Sequence, residues 1–328
     1  MNGVTFLKVL TAKNEKTSSA KKEPALKVKS RNRKMVHAWV CYLMLAPALI
    51  GFLFFTLYPI VWSARYSFYD YDGIDAYYVA FDNFIRAFKD TRFWESMGTT
   101  FIFTFGKLIV ELPLALFLAI VVNNRLKGNG LFRIAFFLPN IVSVAIVGLI
   151  FSFLFDGLNG AVNNLFLEWK WVDAPINWFG NKWTALSVIA LASIWQGFGI
   201  NMMFFLSGVQ GIPTELYECA SLDGASKWQS FRKITLPMLA PTMQVIFLLA
   251  VTGSMKTTDM VLTMTNGEPA GQTEVVMTYI FKHFFNYGQA SVKPQYGYAT
   301  AMSIIVAVIL GALAALYLKA TKKKTEIY

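Results

Sequence analysis

Six long apolar segments, separated by polar stretches, constrain what this chain of 328 residues can fold into. A helix needs about 20 predominantly apolar residues to cross the hydrocarbon core of a bilayer, and each segment meets that length approximately. Only 15% of the residues are charged, whereas a soluble domain carries about 25%. The sequence therefore predicts an all-α integral membrane protein with six transmembrane helices. The segments are 39–64, 98–122, 131–155, 184–209, 238–263 and 298–318.

The basic residues are placed unevenly along the chain, which carries a net charge of +11. They concentrate in four clusters, and with six spans all four clusters fall on the same side of a bilayer. Basic residues favour the cytoplasmic side of membrane proteins, so both termini are predicted to be cytoplasmic. A basic chain can also bind nucleic acid, but clusters at the ends of apolar segments indicate membrane lipid as the partner, with no nucleic acid. The clusters lie at 21–34, 125–133, 227–233 and 319–324.

Composition divides the chain into two parts. Residues 1–34 are rich in lysine and serine and are predicted to form a disordered, basic cytoplasmic arm, and residues 35–328 form the transmembrane domain. The first 38 residues lack a suitable apolar core bounded by a small-residue cleavage site, so no cleavable signal peptide is expected. The aromatic loop 65–97 is predicted to lie on the outer membrane surface, and the tryptophan-rich loop 156–183 is predicted to form a compact outer cap.

A polar stretch between the fourth and fifth apolar segments has the local features of two short helices. Residues 218–241 read ECASLDGASKWQSFRKITLPMLAP. Thr214 is the predicted N-cap of the first helix, and Gly224 can adopt a positive φ and end it. Ser226 can cap a second helix, which Pro237 is predicted to stop. From these residues alone, the stretch is an amphipathic helical hairpin at the membrane surface.

The same stretch resembles the characteristic cytoplasmic loop of the permease subunits of bacterial ABC importers. That pattern is Glu-Ala-Ala, a Gly six residues after the Glu, and then Ile-x-Leu-Pro, with Cys219 standing here for the first Ala. The resemblance implies the type I permease fold for residues 35–328 and a coupling loop, 211–237, that docks into an ATP-hydrolysing partner. The coupling residues that it implies are Glu218, Cys219, Ala220, Asp223, Gly224, Ile234, Leu236 and Pro237.

No phosphate-binding loop of the form GxxxxGK[ST] occurs in the sequence. Energy from ATP would therefore come from the partner subunit, and no cofactor is expected on this chain. Neither the two cysteines, Cys41 and Cys219, nor the two histidines, His37 and His283, form a metal-binding or nucleophilic set. The chain is accordingly predicted not to be an enzyme.

Further stretches resemble carbohydrate permeases of the maltose-transporter type, with Thr258 and Glu268 as departures where an aromatic residue and a glycine are usual. The resemblance implies import of an oligosaccharide or a related sugar across a bacterial inner membrane. It implies three kinds of protein partner, namely a second permease subunit, a dimer of ATP-binding subunits and an extracytoplasmic solute-binding protein. The matching stretches are 133–143, 194–218, 256–269 and 297–303.

Polar residues near the middle of two spans are candidates for the solute site, because polar groups at that depth should face a cavity or the bundle interior. An aromatic face suits a sugar ring, and amide and hydroxyl groups suit its hydroxyls. The positions implied by the resemblance are Trp195, Gln196, Gly197, Ile200, Ala250, Gly253, Ser254 and Thr257. The alternative is structural: a mid-helix tryptophan often only packs, and Gln196 and Asn201 can join neighbouring helices.

Two charged pairs within the spans have the same structural alternative. Lys107 and Glu111 are four residues apart, and Lys256 and Asp259 are three apart, so the two members of each pair can neutralise each other on one helix face.

For function, two alternatives to sugar import stay open at this point. One is an ABC importer for another solute, such as glycerol phosphate, and the other is an ion-coupled secondary transporter.

Overall fold

The computed structural model describes residues 30–123, 129–285 and 293–325, and it divides into two compact units, Met1–Ile60 and Val61–Tyr328. In the first unit, helix α1 (Ser30–Phe52) is followed by a π-helical turn (Leu53–Leu57) and by the start of α2 (Tyr58–Tyr66). The predicted arm, 1–34, overlaps the described residues only at 30–34, which are helical.

The second unit is mainly helical, as predicted, with one short antiparallel hairpin that the sequence did not indicate. The hairpin consists of β1 (Tyr69–Tyr71) and β2 (Ala76–Tyr78), with Asp70 opposite Tyr77. The next helices are α3 (Asp82–Lys89), α4 (Thr91–Asn123), α5 (Asn129–Ile141), α6 (Val144–Leu154), α7 (Ala161–Glu168) and α8 (Lys182–Gln210). Then follow α9 (Thr214–Leu222), α10 (Lys227–Ser230), a π-helical turn (Phe231–Thr235), α11 (Leu236–Met255), α12 (Asp259–Met264), α13 (Val276–Phe285) and α14 (Tyr296–Thr325).

Among the described residues, five helical segments are long and apolar enough to cross a membrane, and a bent helix pair brings the number to six if it counts as one span. This agrees with the predicted number of transmembrane helices. The five are Trp39–Tyr66, Thr91–Asn123, Lys182–Gln210, Lys227–Met255 and Tyr296–Thr321, and the bent pair is Gly130–Ile141 with Val144–Leu154.

The prediction of a continuous third span, 131–155, is wrong, because the chain turns by 92° between α5 and α6. Ser143 has extended backbone angles (φ −56°, ψ 137°) and starts the new helix. The Val142 carbonyl, which a continuous helix would use internally, instead accepts a hydrogen bond from Gln196 Nε2 at 2.9 Å. Pro139, Asn140 and Ser143 lie at the break, but they are too few to interrupt the apolar segment, so composition alone did not reveal it.

The bounds predicted for the fifth span, 238–263, are also wrong. Its helical segment begins at Lys227 and ends at Met255, where the Lys256 N–H bonds back to the Gly253 carbonyl. The next helix, α12, is separate and begins with Asp259, whose charge favours a helix N-terminus. Apolar side chains of α12 pack instead into a core with α6 and α8.

Pro237 does not stop a helix, although the sequence predicted that it would. The π-helical turn Phe231–Thr235 directly precedes it, and the Leu236 N–H bonds to the Phe231 carbonyl. Pro237 has no N–H to donate, and the wider turn lets the chain pass from α10 into α11 without a break. The same arrangement occurs before Pro59, where the π-helical turn is Leu53–Leu57.

Helix α8 lies at the centre of the second unit and packs against α4, α5, α6 and α11. Gly199 allows the closest of these approaches, since a Cβ there would overlap the Phe136 carbonyl oxygen on α5. The cores on either side of α8 are apolar, with Met202, Phe205 and Leu206 packed against α4 and α11. This close packing fixes the positions of the polar side chains that the same helices carry.

The loop 156–183 forms a compact cap, as predicted, around one buried side chain. Asn163 donates to the carbonyls of Asp156, Gly157 and Ile176, and its own oxygen accepts from the Trp178 indole. A fully buried amide with all its groups paired fixes a loop as firmly as an apolar core does.

Candidate functional site: an exposed helical loop and a polar cluster between spans

The coupling loop, 211–237, projects a short helix that the other described residues do not cover. None of the nine residues of α9 is buried. The loop is joined to the spans at its base, where Tyr217 and Ile234 pack on Val209, Ile212 and Leu239. The hydroxyl groups of Tyr217 and Thr235 also lie 2.9 Å apart, within hydrogen-bond distance. A nine-residue helix is marginal by itself in water, so these anchors hold its position.

Gly224 ends α9 in the conformation that the sequence predicted, with a φ of +75°. The Ala225 N–H bonds to the Ala220 carbonyl at 2.9 Å, and the Gly224 N–H bonds to the Ser221 carbonyl at 3.1 Å. This pair of bonds is a Schellman motif, which uses the last free carbonyls of the helix and requires a left-handed residue. The direction of α9 relative to α10 is therefore fixed by Gly224.

The N-termini of the two loop helices are capped differently. Ser226 caps α10, as predicted, in a capping box: its Oγ accepts from the Gln229 N–H, and the Gln229 Oε1 accepts from the Ser226 N–H at 2.7 Å. The prediction of Thr214 as an N-cap is wrong, because Pro213 occupies the cap position and Thr214 is the first helical residue. Pro213 makes no side-chain cap, so the N-terminal N–H groups of α9 are not used by a capping side chain.

The coupling loop exposes large apolar side chains. Leu222 is 87% exposed and Trp228 is 66% exposed, and Leu216 is exposed on the preceding turn. Glu218, Cys219 and Asp223 are exposed as well, whereas Ala220, Ile234, Leu236 and Pro237 are half-buried at the base. Apolar groups of this size are usually covered when they are clustered on a surface, and such patches mark interaction sites.

A polar cluster joins three spans, α4, α8 and α11. Lys107 Nζ lies 3.3 Å from Glu111 Oε2 and 3.4 Å from Ser254 Oγ, so the predicted pairing of Lys107 with Glu111 is confirmed. Asn201 Nδ2 donates to Glu111 Oε1 at 2.8 Å. Gly197 lies beside them, since a Cβ there would be 2.8 Å from Glu111 Oε1. Of the predicted solute-site residues, the cluster brings Gly197 and Ser254 together.

Trp195 and Gln196 contact the bent helix pair, α5 and α6. Gln196 is occupied by the Val142 carbonyl at the break between α5 and α6, and the Trp195 ring lies 5.8 Å from the Phe151 ring on α6. Both contacts correspond to the structural alternative for these side chains. Trp195 nevertheless keeps 40% of its surface exposed.

The other predicted solute-site residues surround the end of α11. Gly253 is exposed, with no atom within 4 Å of the position that a Cβ would take, and Thr257 is half-buried in the link to α12. Ile200 and Ala250 are half-buried on α8 and α11. No ion pair joins Lys256 to Asp259 in the part of the chain that the structure describes. Within the same residues, no group of three or more His, Cys, Asp and Glu side chains is arranged to hold a metal ion.

The family was identified by comparison with known proteins. The profile of the binding-protein-dependent transport system inner membrane component matches residues 111–324, which include the polar cluster from Glu111 onwards, the coupling loop and α14. The chain belongs to this family. It is a family of transport permeases, and the several apolar helices of this chain make it a multi-pass membrane protein, in agreement with the sequence prediction.

Several curated relatives of this permease carry names from sugar transport. The lactose transport system permease protein LacF of Rhizobium radiobacter is 31% identical over 292 residues, which are 88% of this chain and 95% of LacF. The trehalose/maltose transport system permease protein MalF of Thermococcus litoralis is 30% identical, covering 85% of this chain and 92% of MalF. The probable ABC transporter permease protein YesP of Bacillus subtilis is 34% identical, covering 85% and 89%.

A crystal structure of a bacterial ABC transporter involved in the import of the acidic polysaccharide alginate contains a chain with the same fold. The TM-score is 0.75, and the match covers 89% of this permease and 98% of that chain. The two sequences are 22% identical, so the likeness establishes the permease fold alone.

Sequence reasoning missed a second polar cluster, at the start of α4. The Asp90 carboxylate caps α4 by accepting from the Arg92 N–H, and it also accepts from the hydroxyls of Tyr279 on α13 (2.7 Å) and Tyr298 on α14 (2.6 Å). The Arg86 guanidinium of α3 lies 3.9 Å from the centre of the Tyr298 ring. We call this set the Asp90 cluster. The hydrogen bond between Tyr298 and Asp90 alone spans 208 positions, so no local pattern indicated the cluster.

Hydrogen bonds together have the larger effect on the pKa of the Asp90 carboxyl. Burial raises the pKa of the Asp90 carboxyl, but the hydroxyls of Tyr298 and Tyr279 and the backbone N–H groups of Phe93 and Arg92 together lower it below the ordinary value of 3.8. The ionised form is therefore the one that the fold stabilises.

Proposed function

We propose that this permease is one of two different transmembrane subunits of an ABC importer that takes up an oligosaccharide or a related sugar. An extracytoplasmic solute-binding protein delivers the sugar, and a dimer of ATP-binding subunits drives its passage. The sugar assignment is supported by the relatives from lactose and trehalose/maltose systems, which match nearly the whole length of the chain. The binding protein is supported by the family, whose transport systems depend on one.

The single observation that carries the coupling role is the geometry of the coupling loop. Helix α9 has no buried residue, yet its end is fixed by Gly224 and its base is fixed by Tyr217. A rigidly held helix with apolar side chains in the open suits insertion into a groove of a partner. We assign that groove to the ATP-binding subunit, with Leu222 and Trp228 as the apolar contacts.

In this proposal ATP is bound and hydrolysed by the partner, and this chain holds no cofactor. Both termini and the coupling loop lie in the cytoplasm of a bacterial cell, next to the inner membrane. Closure of the two ATP-binding subunits moves the coupling loop, and α11 follows because the segment Lys227–Met255 is one helical span. The solute path lies beside α8 and α11 and alternates its access from one side to the other.

The proposal is tested by reconstituting the permease, its partner permease, the ATP-binding subunits and the binding protein into vesicles. We expect uptake of at least one radiolabelled oligosaccharide from a panel of lactose, trehalose, maltose and arabinotriose, and we expect it only when ATP is supplied to the side that bears the coupling loop. Dissipating proton and sodium gradients should leave that uptake unchanged.

Two results would contradict the proposal in different ways. Uptake that follows an ion gradient and ignores ATP would identify an ion-coupled transporter. ATP-dependent uptake of glycerol phosphate, with no sugar taken up, would keep the importer mechanism and overturn the sugar assignment.

A further inference from the structure

Lys107 is a charged residue near the middle of a membrane span. It lies 16 residues after the first residue of α4, which is about 24 Å along the 33-residue helix at 1.5 Å per residue. A charged side chain at such depth is costly unless it is paired, and it then commonly marks a solute or ion pathway. The ion pair with Glu111, at 3.3 Å, reduces the cost of placing the Lys107 charge within the membrane. It does not use all the N–H donors of Lys107.

The ammonium group has more donors than the described residues have acceptors for it. It carries three N–H groups. Within the described part of the chain, its polar neighbours are Glu111 Oε2 at 3.3 Å and Ser254 Oγ at 3.4 Å. Oε2 lies in an ion pair without the geometry of a hydrogen bond. At least one N–H of Lys107 is therefore available to a further acceptor.

The two members of the pair differ in how they are held. Glu111 is 2% exposed, and Asn201 fixes its other carboxylate oxygen through a 2.8 Å hydrogen bond. The Lys107 side chain is 11% exposed, so it is the member that reaches a surface. The carboxylate is the anchored group, and the ammonium group is the accessible one.

Gly197 lets α8 lie directly against the ion pair. A Cβ at this position would lie 2.8 Å from Glu111 Oε1 and 3.9 Å from Lys107 Nζ. Gly197 and Ser254 are both positions at which the sequence predicts the solute. The accessible donor and two of the predicted solute positions thus coincide on the three facing helices.

We propose that Lys107 contacts the solute in the translocation pathway, where its ammonium group donates a hydrogen bond to a sugar hydroxyl oxygen. Glu111 and Asn201 act as positioning residues that hold the ammonium group beside Gly197. Since Glu111 cancels the charge of Lys107, the pair presents a donor to a neutral sugar without a net charge. That the solute is a sugar rests on the proposed function. That water reaches Lys107 does not rest on it, so the identity of the solute and the access of water can be tested separately.

The first test measures access to position 107 in the assembled complex in vesicles. The background is Cys41→Ser with Cys219→Ala, and the test variant adds Lys107→Cys with Glu111→Gln, so that no buried charge is left alone. The probe is a water-soluble methanethiosulfonate with a trimethylammonium group. We expect modification of Cys at 107 and none of Ile109→Cys, whose native side chain is 72% exposed on the same helix but apolar. Ser221→Cys in the coupling loop, labelled in vesicles that contain the permease without the ATP-binding subunits, is the positive control.

The second test separates a solute contact from a purely structural pair. Lys107→Met with Glu111→Met replaces the pair by apolar groups without leaving a lone charge. We expect the complex to assemble as the wild type does, while the KM for uptake of the sugar that wild-type vesicles accumulate rises roughly 10-fold or more. An unchanged KM, or an unreactive position 107 both without ATP and with ATP and vanadate, would overturn the inference. If wild-type vesicles accumulate no sugar, the proposed function fails, and the labelling still decides whether Lys107 faces the pathway.

Discussion

At the scale of single residues, Gly224 determines the direction of the helix that we assign to ATPase docking. Its φ of +75° is open to glycine at no steric cost, while an L-residue pays about 1–2 kcal/mol for it. No atom lies within 4 Å of the position of a Cβ at Gly224, so substitution affects the backbone angle and does not create a clash. This makes Gly224 a selective probe of loop geometry.

Gly224→Ala should weaken docking without affecting insertion of the spans. A cost of about 1–2 kcal/mol corresponds to roughly a 5- to 30-fold smaller population of the docking conformation. The measurement is the amount of ATP-binding subunit that co-purifies with the permease. Gly211→Ala is the matched control, because this glycine lies in the same loop at an ordinary φ of −78° and should tolerate a Cβ. Equal co-purification in the two variants would argue against a role of the loop direction.

Asp90 provides a prediction about pH at the residue scale. Its folded-state pKa is lowered below 3.8, so its contribution to stability is present above that pH and is lost as the pH falls through the folded-state value. The thermal midpoint of the purified permease should therefore fall with pH below about 4, and Asp90→Asn should make that fall shallower. Tyr279→Phe with Tyr298→Phe should act in the same direction, since it removes two of the donors that lower the pKa. An identical acid dependence in all three proteins would contradict the assigned role of the Asp90 cluster.

At the scale of elements, the bundle depends on glycine contacts that bring helices closer than side chains allow. Gly199 lies against the backbone of α5 at Phe136, and this contact sets the approach of the bent pair to α8. Gly199→Ala should lower the thermal midpoint and the yield of the complex, because backbone atoms must shift to admit the Cβ. Gly106→Ala is the control on α4, where no atom lies within 4 Å and the change should be neutral or stabilising by about 0.5–1 kcal/mol. A neutral Gly199→Ala would show that α5 is not held there.

Some of the helices could be predicted from the sequence, and some of their ends could not. The number of spans followed from hydropathy, because each must be apolar for some 20 residues. The break at Val142 and the end of α11 at Met255 did not follow, because a hydropathy window of about 19 residues averages over the few polar residues at these points, such as Ser143 and Lys256. At the break, Gln196 Nε2 donates a hydrogen bond to the Val142 carbonyl, and the two residues are 54 positions apart in the sequence. A window of local sequence does not contain that contact.

The candidate site likewise contains some residues that the sequence could predict and others that it could not. Gly224 and Ser226 were predictable, because caps and positive-φ turns are encoded within a few residues. The cluster of Lys107, Glu111, Asn201 and Ser254 was predictable only as one i,i+4 pair, since the contact between Asn201 and Glu111 spans 90 positions. Resemblance to a family located the solute site along the helices, but it did not distinguish side chains that hold helices together from side chains left accessible.

At the scale of the whole molecule, the account predicts which loops face which side of the membrane. The coupling loop and both termini should be cytoplasmic, and the cap around Asn163 should be outside. In cells that express the permease without the ATP-binding subunit, a membrane-impermeant maleimide should label Asn159→Cys while the cells are intact, and it should label Ser221→Cys and Ser18→Cys only after the cells are opened. Labelling of position 18 in intact cells would reverse the orientation and would remove the coupling loop from the cytoplasm.

The central claim is that an ATP-binding subunit covers the exposed apolar side chains of the coupling loop. The most direct measurement places a photo-crosslinking amino acid at Leu222, which is 87% exposed, and irradiates cells that contain the whole importer. The matched control is the same amino acid at Leu158 in the cap, where the native side chain is 82% exposed. We predict a crosslink to the ATP-binding subunit from position 222 and none from position 158. An importer that transports normally but gives no such crosslink from position 222, or gives it equally from position 158, would contradict the account.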